Sequence, residues 1–231
     1  MKLMRKQEKL TSIRYNIIST GSKGNALVLE DIILIDCGVS FTKLKEVYKK
    51  IRYVLLTHIH SDHFNKTTIR RLAIERLTLR FGCCKWLVDD LIACGVSKKN
   101  IDLYEIGNKY AYGGDLKIEP ILLYHNVEQC GYRVFINGYK TIYMTDTNSV
   151  EGISAKNYDY YFIEANYTEE NIEERIQAKE VLGMYCYEKD AMLNHLSKEK
   201  CDRFLLENMG ENSKYEYMHV HIENKREENN V

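Results

Sequence analysis

Residues 55–65 read LLTHIHSDHFN, which places His58, His60, Asp62 and His63 directly after an apolar run. Imidazole nitrogens and carboxylate oxygens at this density suit a divalent transition metal, zinc first, with manganese and iron as alternatives. A loop at a strand end can turn several side chains toward one point. His58 and His60 could therefore share one ion, and Asp62 and His63 could reach a second. Further donors recur along the chain. ILLYHN carries His125, TIYMTDTN carries Asp146, YEYMHVH carries His219 and His221, and ILIDCG carries Asp36. Each stands at the end of an apolar run, and the carboxyl ends of strands are where an α/β sheet commonly builds its site.

The elements that must position these residues follow from hydrophobic pattern. Apolar runs predict strands over 15–18, 26–29, 32–35, 53–56, 118–123, 132–136, 140–144 and 160–163. Asn137-Gly138 predicts a hairpin turn between two of them, because both residues tolerate positive φ. Helical spacing predicts helices over 66–77, 86–94, 169–182 and 198–209. Ser197 fits the N-cap of the last, Cys201, Phe204, Leu205 and Met209 its apolar face, and Gly210 its C′ position. The charge-laced 169–182 segment reads as a solvated helix face. Strands with helices interspersed and following suggest sheets with helices packed outside, in one domain spanning 1–231, with 1–11 and 225–231 as mobile ends.

Composition narrows the class. The 231 residues carry 33 Lys+Arg and 33 Asp+Glu, a formal net charge of zero, so the whole chain does not announce a polyanionic partner. Seven cysteines without a C-x-x-C spacing read as free thiols in a reducing cytoplasm rather than as a zinc ribbon. The charged start lacks the apolar segment of a signal peptide. No stretch approaches the roughly 20 apolar residues that span a bilayer.

The Thr57, His58, His60, Asp62, His63 motif, followed in order by His125, Asp146 and a late His, resembles the metallo-β-lactamase fold superfamily. The likeness runs from STGSKGN near the start to HVHIEN near the end. It implies a four-layer αββα sandwich of the α/β class with a dinuclear site at one edge. It also implies that His58, His60 and His125 hold one ion, that Asp62, His63 and a C-terminal His hold the other, and that Asp146 bridges them. His219, which follows the aromatic run directly, is preferred to His221. His60 separates the chain from the redox-active flavodiiron branch, which has Glu there. Two such ions would acidify a water and clamp an oxyanion, so the expected chemistry is hydrolysis.

Three stretches resemble the YycJ/WalJ-like branch, which is associated with nuclease activity. STGSKGN is similar to its S-G-S-x-G-N opening, with Thr20 for the first Ser. EANYTEE is similar to its E-x-N segment. NHLSKEKCDRFL is similar to its G-H-L-S-N segment, with Asn194 and Lys198 departing from it. The resemblance gives His195 the role of proton donor beside a helix N-terminus that favours a phosphate oxygen. Asp62 and His195 are thus the expected catalytic residues. Asp36 is expected to orient a ligand His, and Ser22 and Asn25 to shape a loop against the substrate. The leading reading is a phosphodiesterase or nuclease acting on nucleic acid or a small phosphodiester. The alternatives are a lactone, thioester or ester hydrolase and a metal-bearing binding module. A basic groove would have to come from Lys43, Lys45, Lys49, Lys50 and Arg52, or from Lys66, Arg70 and Arg71. The 18 tyrosines offer stacking platforms that the sequence does not single out.

Overall fold

The computed structural model describes residues 12–220. His221 and the expected mobile ends, 1–11 and 225–231, lie outside the described residues. Among the described residues the strands form two six-stranded sheets. The first runs β1 (Tyr15–Ser19), β2 (Ala26–Leu29), β3 (Ile33–Ile35), β4 (Tyr53–Leu55), β5 (Arg80–Cys84) and β6 (Ile101–Tyr104) in chain order. Its first three strands are antiparallel and β3 through β6 are parallel. The second sheet contains β7 (Tyr110–Ala111), β8 (Lys117–Leu122), β9 (Cys130–Ile136), β10 (Tyr139–Met144), β11 (Tyr160–Glu164) and β12 (Lys214–Met218), in the reverse order across the sheet. There β10, β11 and β12 are parallel, while β9 runs against both β8 and β10.

Period-two alternation makes the layers. In β2, Leu27 and Leu29 point between the sheets, where they meet Ile118, Tyr132, Val134 and Phe162. Val28 points the other way, into a second cluster with Leu34, Val54 and Phe81. The helices α1 (Phe41–Leu44), α2 (Lys66–Glu75) and α3 (Val88–Ala93) cover that outer face through Leu44, Ile69, Leu72 and Leu91. On the far side, Ile142, Met144, Tyr161 and Ile163 pack against Cys201, Phe204 and Leu205 of α6 (Lys198–Asn208). The result is the expected αββα order. Two more helices, α4 (Glu169–Val181) and α5 (Tyr187–Asn194), contribute little to these clusters, and buried Ile172 is the main apolar tether of α4. No helix among the described residues is long and apolar enough to cross a membrane.

All eight expected strands form, with ends shifted by no more than two residues. Asn137 and Gly138 both adopt positive φ, 52° and 77°, as a tight hairpin turn requires. The expected helix 86–94 begins with a 3-10 turn at Lys85–Leu87 before α3. Gly210 does not take the left-handed C′ role. Met209 ends α6 in extended backbone, and a Cβ on Gly210 would lie 2.6 Å from Asn157 Oδ1. That glycine answers a close approach, not a helix-capping conformation.

Candidate metal centre

The sheet topology brings the donor residues to one edge. β3 and β4 run in the same direction, so Asp36 and the His58–His63 loop emerge together. In the second sheet β8, β10, β11 and β12 share a direction, so His125, Asp146, Glu164 and His219 emerge together. The two groups meet across the open end of the sandwich.

Three sets of donors converge there, each with its ligand atoms within 4.8 Å of one another: His58, His60 and His125; His58, His63 and Asp146; and Asp146, Glu164, His195 and His219. In the first, His60 Nδ1 lies 3.2 Å from both His58 Nε2 and His125 Nε2. Asp146 joins the other two. Its Oδ2 is 2.6 Å from His63 Nε2 and 3.4 Å from His58 Nε2, and its Oδ1 contacts His219 Nδ1. Asp62 stands at the rim, with Oδ2 3.7 Å from His63 Nε2.

The electrostatics fit a cation. Burial pushes the His58 imidazole well below its usual range and takes His125 down to about 4, so both keep neutral, lone-pair-bearing rings. Burial also acts against charge on His63, but Asp146 and Asp36 at its two nitrogens raise it well above the usual range. Asp146 is likewise disfavoured by burial, yet His63 and His219 hold it far down and therefore ionised. Converging imidazoles around a buried carboxylate form a donor set suited to divalent metal binding.

Asp36 anchors this set from beneath. It is fully buried. Its Oδ1 accepts from Thr57 N at 3.0 Å and Thr57 Oγ1 at 2.9 Å. Its Oδ2 meets His63 Nδ1 at 2.7 Å and accepts from the Tyr143 hydroxyl at 3.0 Å. With Nδ1–H so engaged, His63 turns Nε2 toward Asp146. Gly38 lets the Asp36 loop lie against the histidine loop, since a Cβ there would fall 1.6 Å from Asp62 O. Thr20, which departs from the resembled motif, accepts from His219 N at 2.7 Å through its hydroxyl. A serine hydroxyl could make the same bond.

Asn25, expected to shape a loop against the substrate, is fully buried within that loop: its Oδ1 accepts from Gly21 N at 2.8 Å and its Nδ2 lies 2.7 Å from His63 Nε2. Ser22 does line the open cleft. The α6 N-terminus is also less open than expected. Ser197 is buried, caps Lys200 N at 3.2 Å, and donates to Glu169 Oε1 at 2.8 Å, while Lys198 N donates to Tyr167 O.

His195 finds a different partner, one that the residue pattern had not brought out. Glu164, the last residue of β11, is fully buried, and its Oε1 sits 2.6 Å from His195 Nδ1. Its Oε2 accepts from Thr147 N at 2.9 Å and Leu196 N at 3.3 Å. Burial acts against a charged His195, but Glu164 outweighs it and raises the imidazole above its usual range. An acidic residue closing an apolar strand was the available signal, the same one that marks Asp36 and Asp146.

These groups open onto a cleft of about 610 Å³, lined by His60, Asp62, His125, Asp146, His195 and His219 on one side and by α4 and α5 on the other. The 169–182 segment is therefore more than a solvated face, since Ile172 and Arg175 line the cleft. None of the basic residues considered for a nucleic-acid groove does so. Lys66 pairs with Asp90 and Arg71 with Glu75 instead.

An αββα sandwich with a His/Asp cluster at its edge is the metallo-β-lactamase fold. A family model described as "Beta-lactamase superfamily domain" matches residues 32–199, and the chain belongs to that superfamily. Comparison with curated proteins finds no match. Among solved structures, the metallo-beta-lactamase fold protein YhfI from Bacillus subtilis aligns with TM-score 0.68 and 16% identity, over 91% of this chain and 88% of that one. Human tRNase Z, short form (ELAC1), aligns with TM-score 0.67 and 15% identity, over 89% and 92%. A diphosphatase from the PhnP family aligns with TM-score 0.62 and 16% identity, over 89% and 85%. At these identities the likeness is one of fold.

Proposed function

We propose that the protein is a metal-dependent phosphodiesterase, acting on nucleic acid or a small phosphodiester in the cytoplasm, and of the YycJ/WalJ-like nuclease branch. The observation that carries this reading is the Glu164–His195 pair facing the same cleft as the His/Asp cluster. A hydrolytic site for a phosphodiester needs a cation-binding face and a proton donor for the departing oxygen. His58, His60 and His125 would hold one ion, Asp62, His63 and His219 the second, and Asp146 would stand between them. Zinc is the first choice for this donor set. When bound, the ions supply Lewis acidity toward phosphoryl oxygens and lower the pKa of water.

The protein's own residues do the rest. Glu164 keeps His195 Nδ1 engaged, so Nε2 is the nitrogen available to the substrate. The same carboxylate favours the protonated ring, and His195 would deliver that proton to the leaving oxygen. Asp36 fixes the His63 ring and with it the direction of Nε2. The names of two structural neighbours, a tRNase and a diphosphatase, support phosphate esters over lactones or thioesters. The buried state of six of the seven free cysteines supports a reducing compartment.

The test is cleavage of end-labelled DNA and RNA and of methyl p-nitrophenyl phosphate by chelator-stripped protein with zinc or manganese restored. Metal-dependent cleavage that disappears in His58→Ala and Asp146→Asn supports the reading. Full metal loading without cleavage of any phosphodiester overturns it.

A further inference from the structure

We infer that the α4–α5 hairpin holds a nucleotide unit of the substrate, with Tyr187 stacking on its base and Arg175 binding its phosphate. The inference rests on the phosphodiesterase reading and names the substrate class of the same cleft. Among the described residues lining that cleft, Arg175 is the one lysine or arginine. The wall it faces carries Asp62 and Asp146 and its own wall carries Glu188 and Asp190, so an anion entering the cleft meets this guanidinium as its one fixed side-chain cation besides the histidines.

Arg175 is held in place. Glu188, whose side chain is 1% exposed, sits 3.1 Å from Arg175 Nη2 and 2.7 Å from Lys179 Nζ. The Tyr187 hydroxyl accepts from the same Arg175 Nη2. Both bonds use one nitrogen. Among the described residues Nε and Nη1 make no hydrogen bond, which leaves three N–H donors on two nitrogens for phosphate oxygens. One buried carboxylate thus serves two cations, and Asp190, the other acid of this wall, accepts from the Tyr185 hydroxyl and not from Arg175.

Tyr187 lies beside this group. Lys179 Nζ covers one face of its ring, 3.8 Å from the centroid, and Arg175 Cζ is 5.6 Å away. The residue is nonetheless 52% exposed and lines the cleft. A ring pinned by a hydroxyl bond and a cation, with the rest of its surface open beside an arginine, suits a nucleobase with its phosphate. Stacking of this kind tolerates every base.

The test uses the full chain with metal restored and compares trithymidylate with methyl p-nitrophenyl phosphate, which has no nucleoside. For Tyr187→Leu and Arg175→Ala, the ratio of kcat/KM for trithymidylate to that for the small ester should fall roughly tenfold, mainly through KM, the scale of one lost base stack or phosphate contact. Tyr187→Phe, which keeps the ring, should hold the ratio. Wild-type protein that hydrolyses both substrates, with a ratio unmoved by Tyr187→Leu and Arg175→Ala, overturns this inference and leaves the phosphodiesterase standing. A ratio lowered equally by Tyr187→Phe overturns the stacking role. Wild-type protein that hydrolyses neither substrate overturns the phosphodiesterase reading, and this inference with it.

Discussion

Glu164 Oε1 and His195 Nδ1 lie 2.6 Å apart, and that contact decides which imidazole nitrogen faces the cleft. A histidine positioned in this way should act on protons and not be needed to retain metal. His195→Ala should keep its full metal complement by elemental analysis and lose about 100-fold or more in kcat. Loss of metal in step with activity would make His195 a ligand instead, as its proximity to Asp146 and His219 permits.

Asp36 is buried beneath the cluster and meets Thr57, His63 and Tyr143 at once. Replacing its charge by an amide leaves His63 without its anionic partner. Asp36→Asn should lose on the order of 3 kcal/mol of stability in urea unfolding. Its metal affinity should drop about 10–100-fold by competition with a chelator. Stability and affinity both close to wild type would show that His63 needs no orienting carboxylate.

Metal removal should weaken the whole fold, because the donors come from both sheets. The melting temperature of chelator-treated protein should rise with added zinc in a concentration-dependent way, as expected for a ligand that binds the native state alone. His60→Ala should blunt the rise. A melting temperature indifferent to zinc would argue against a site that spans the sheets.

Gly38→Ala tests the packing of the two loops. The added Cβ would fall 1.6 Å from Asp62 O, so backbone must move. The variant should lose at least about 1–3 kcal/mol of stability and bind metal more weakly, since the shifted segment carries Asp62 and His63. A variant as stable as wild type would mean that the loop yields without strain.

Glu188 gives a pH dependence with a defined sign. Burial would raise its carboxyl, but Lys179 and the other contacts outweigh that and lower it to about 2. The folded-state value is depressed, so the stabilisation is present above the unfolded value of about 4.3 and is lost as pH falls through the folded value. The destabilisation caused by Glu188→Gln, read by hydrogen exchange in α4 and α5, should be full at neutral pH and shrink as pH falls from about 4.3 toward 2. A difference that persists unchanged at the acid end would assign the effect to packing.

The strands and much of the site were legible because apolar runs end in polar donors. ILLYHN, TIYMTDTN and YEYMHVH each show where a strand stops and a candidate donor begins. The strand β5, RFGCC, was not legible, since a glycine and flanking charges break the alternation. In β6, IDLY, Asp102 interrupts the apolar run, and the two-residue β7 and single-turn α1 offer too few residues for any period to register. α5, YEKDAMLN, has no continuous apolar stripe because it packs over a polar cleft. Glu164 was hidden for a related reason: its partner His195 is 31 residues away, and only the return of α5 brings the two together. Asn25 was legible only as a residue that shapes a loop beside the site; that its amide also reaches His63, 38 residues on, could not be read from the turn-rich motif.

Asp36, Asp146 and His219 share an unusual backbone, with φ of 59°, 53° and 53°. Left-handed conformation costs most L-residues roughly 1–2 kcal/mol and is taken cheaply by Gly, Asn and Asp. On the proposed reading these positions are restrained twice, once by chemistry and once by main-chain geometry. A descendant without the proposed reaction would still be confined to a narrow residue alphabet at 36 and 146. His58, His60, His63 and His125 lie outside the positive-φ set and carry no such restraint. On the proposed reading their histidines report chemistry alone, whereas an aspartate at 36 or 146 reports the shape of the chain as well.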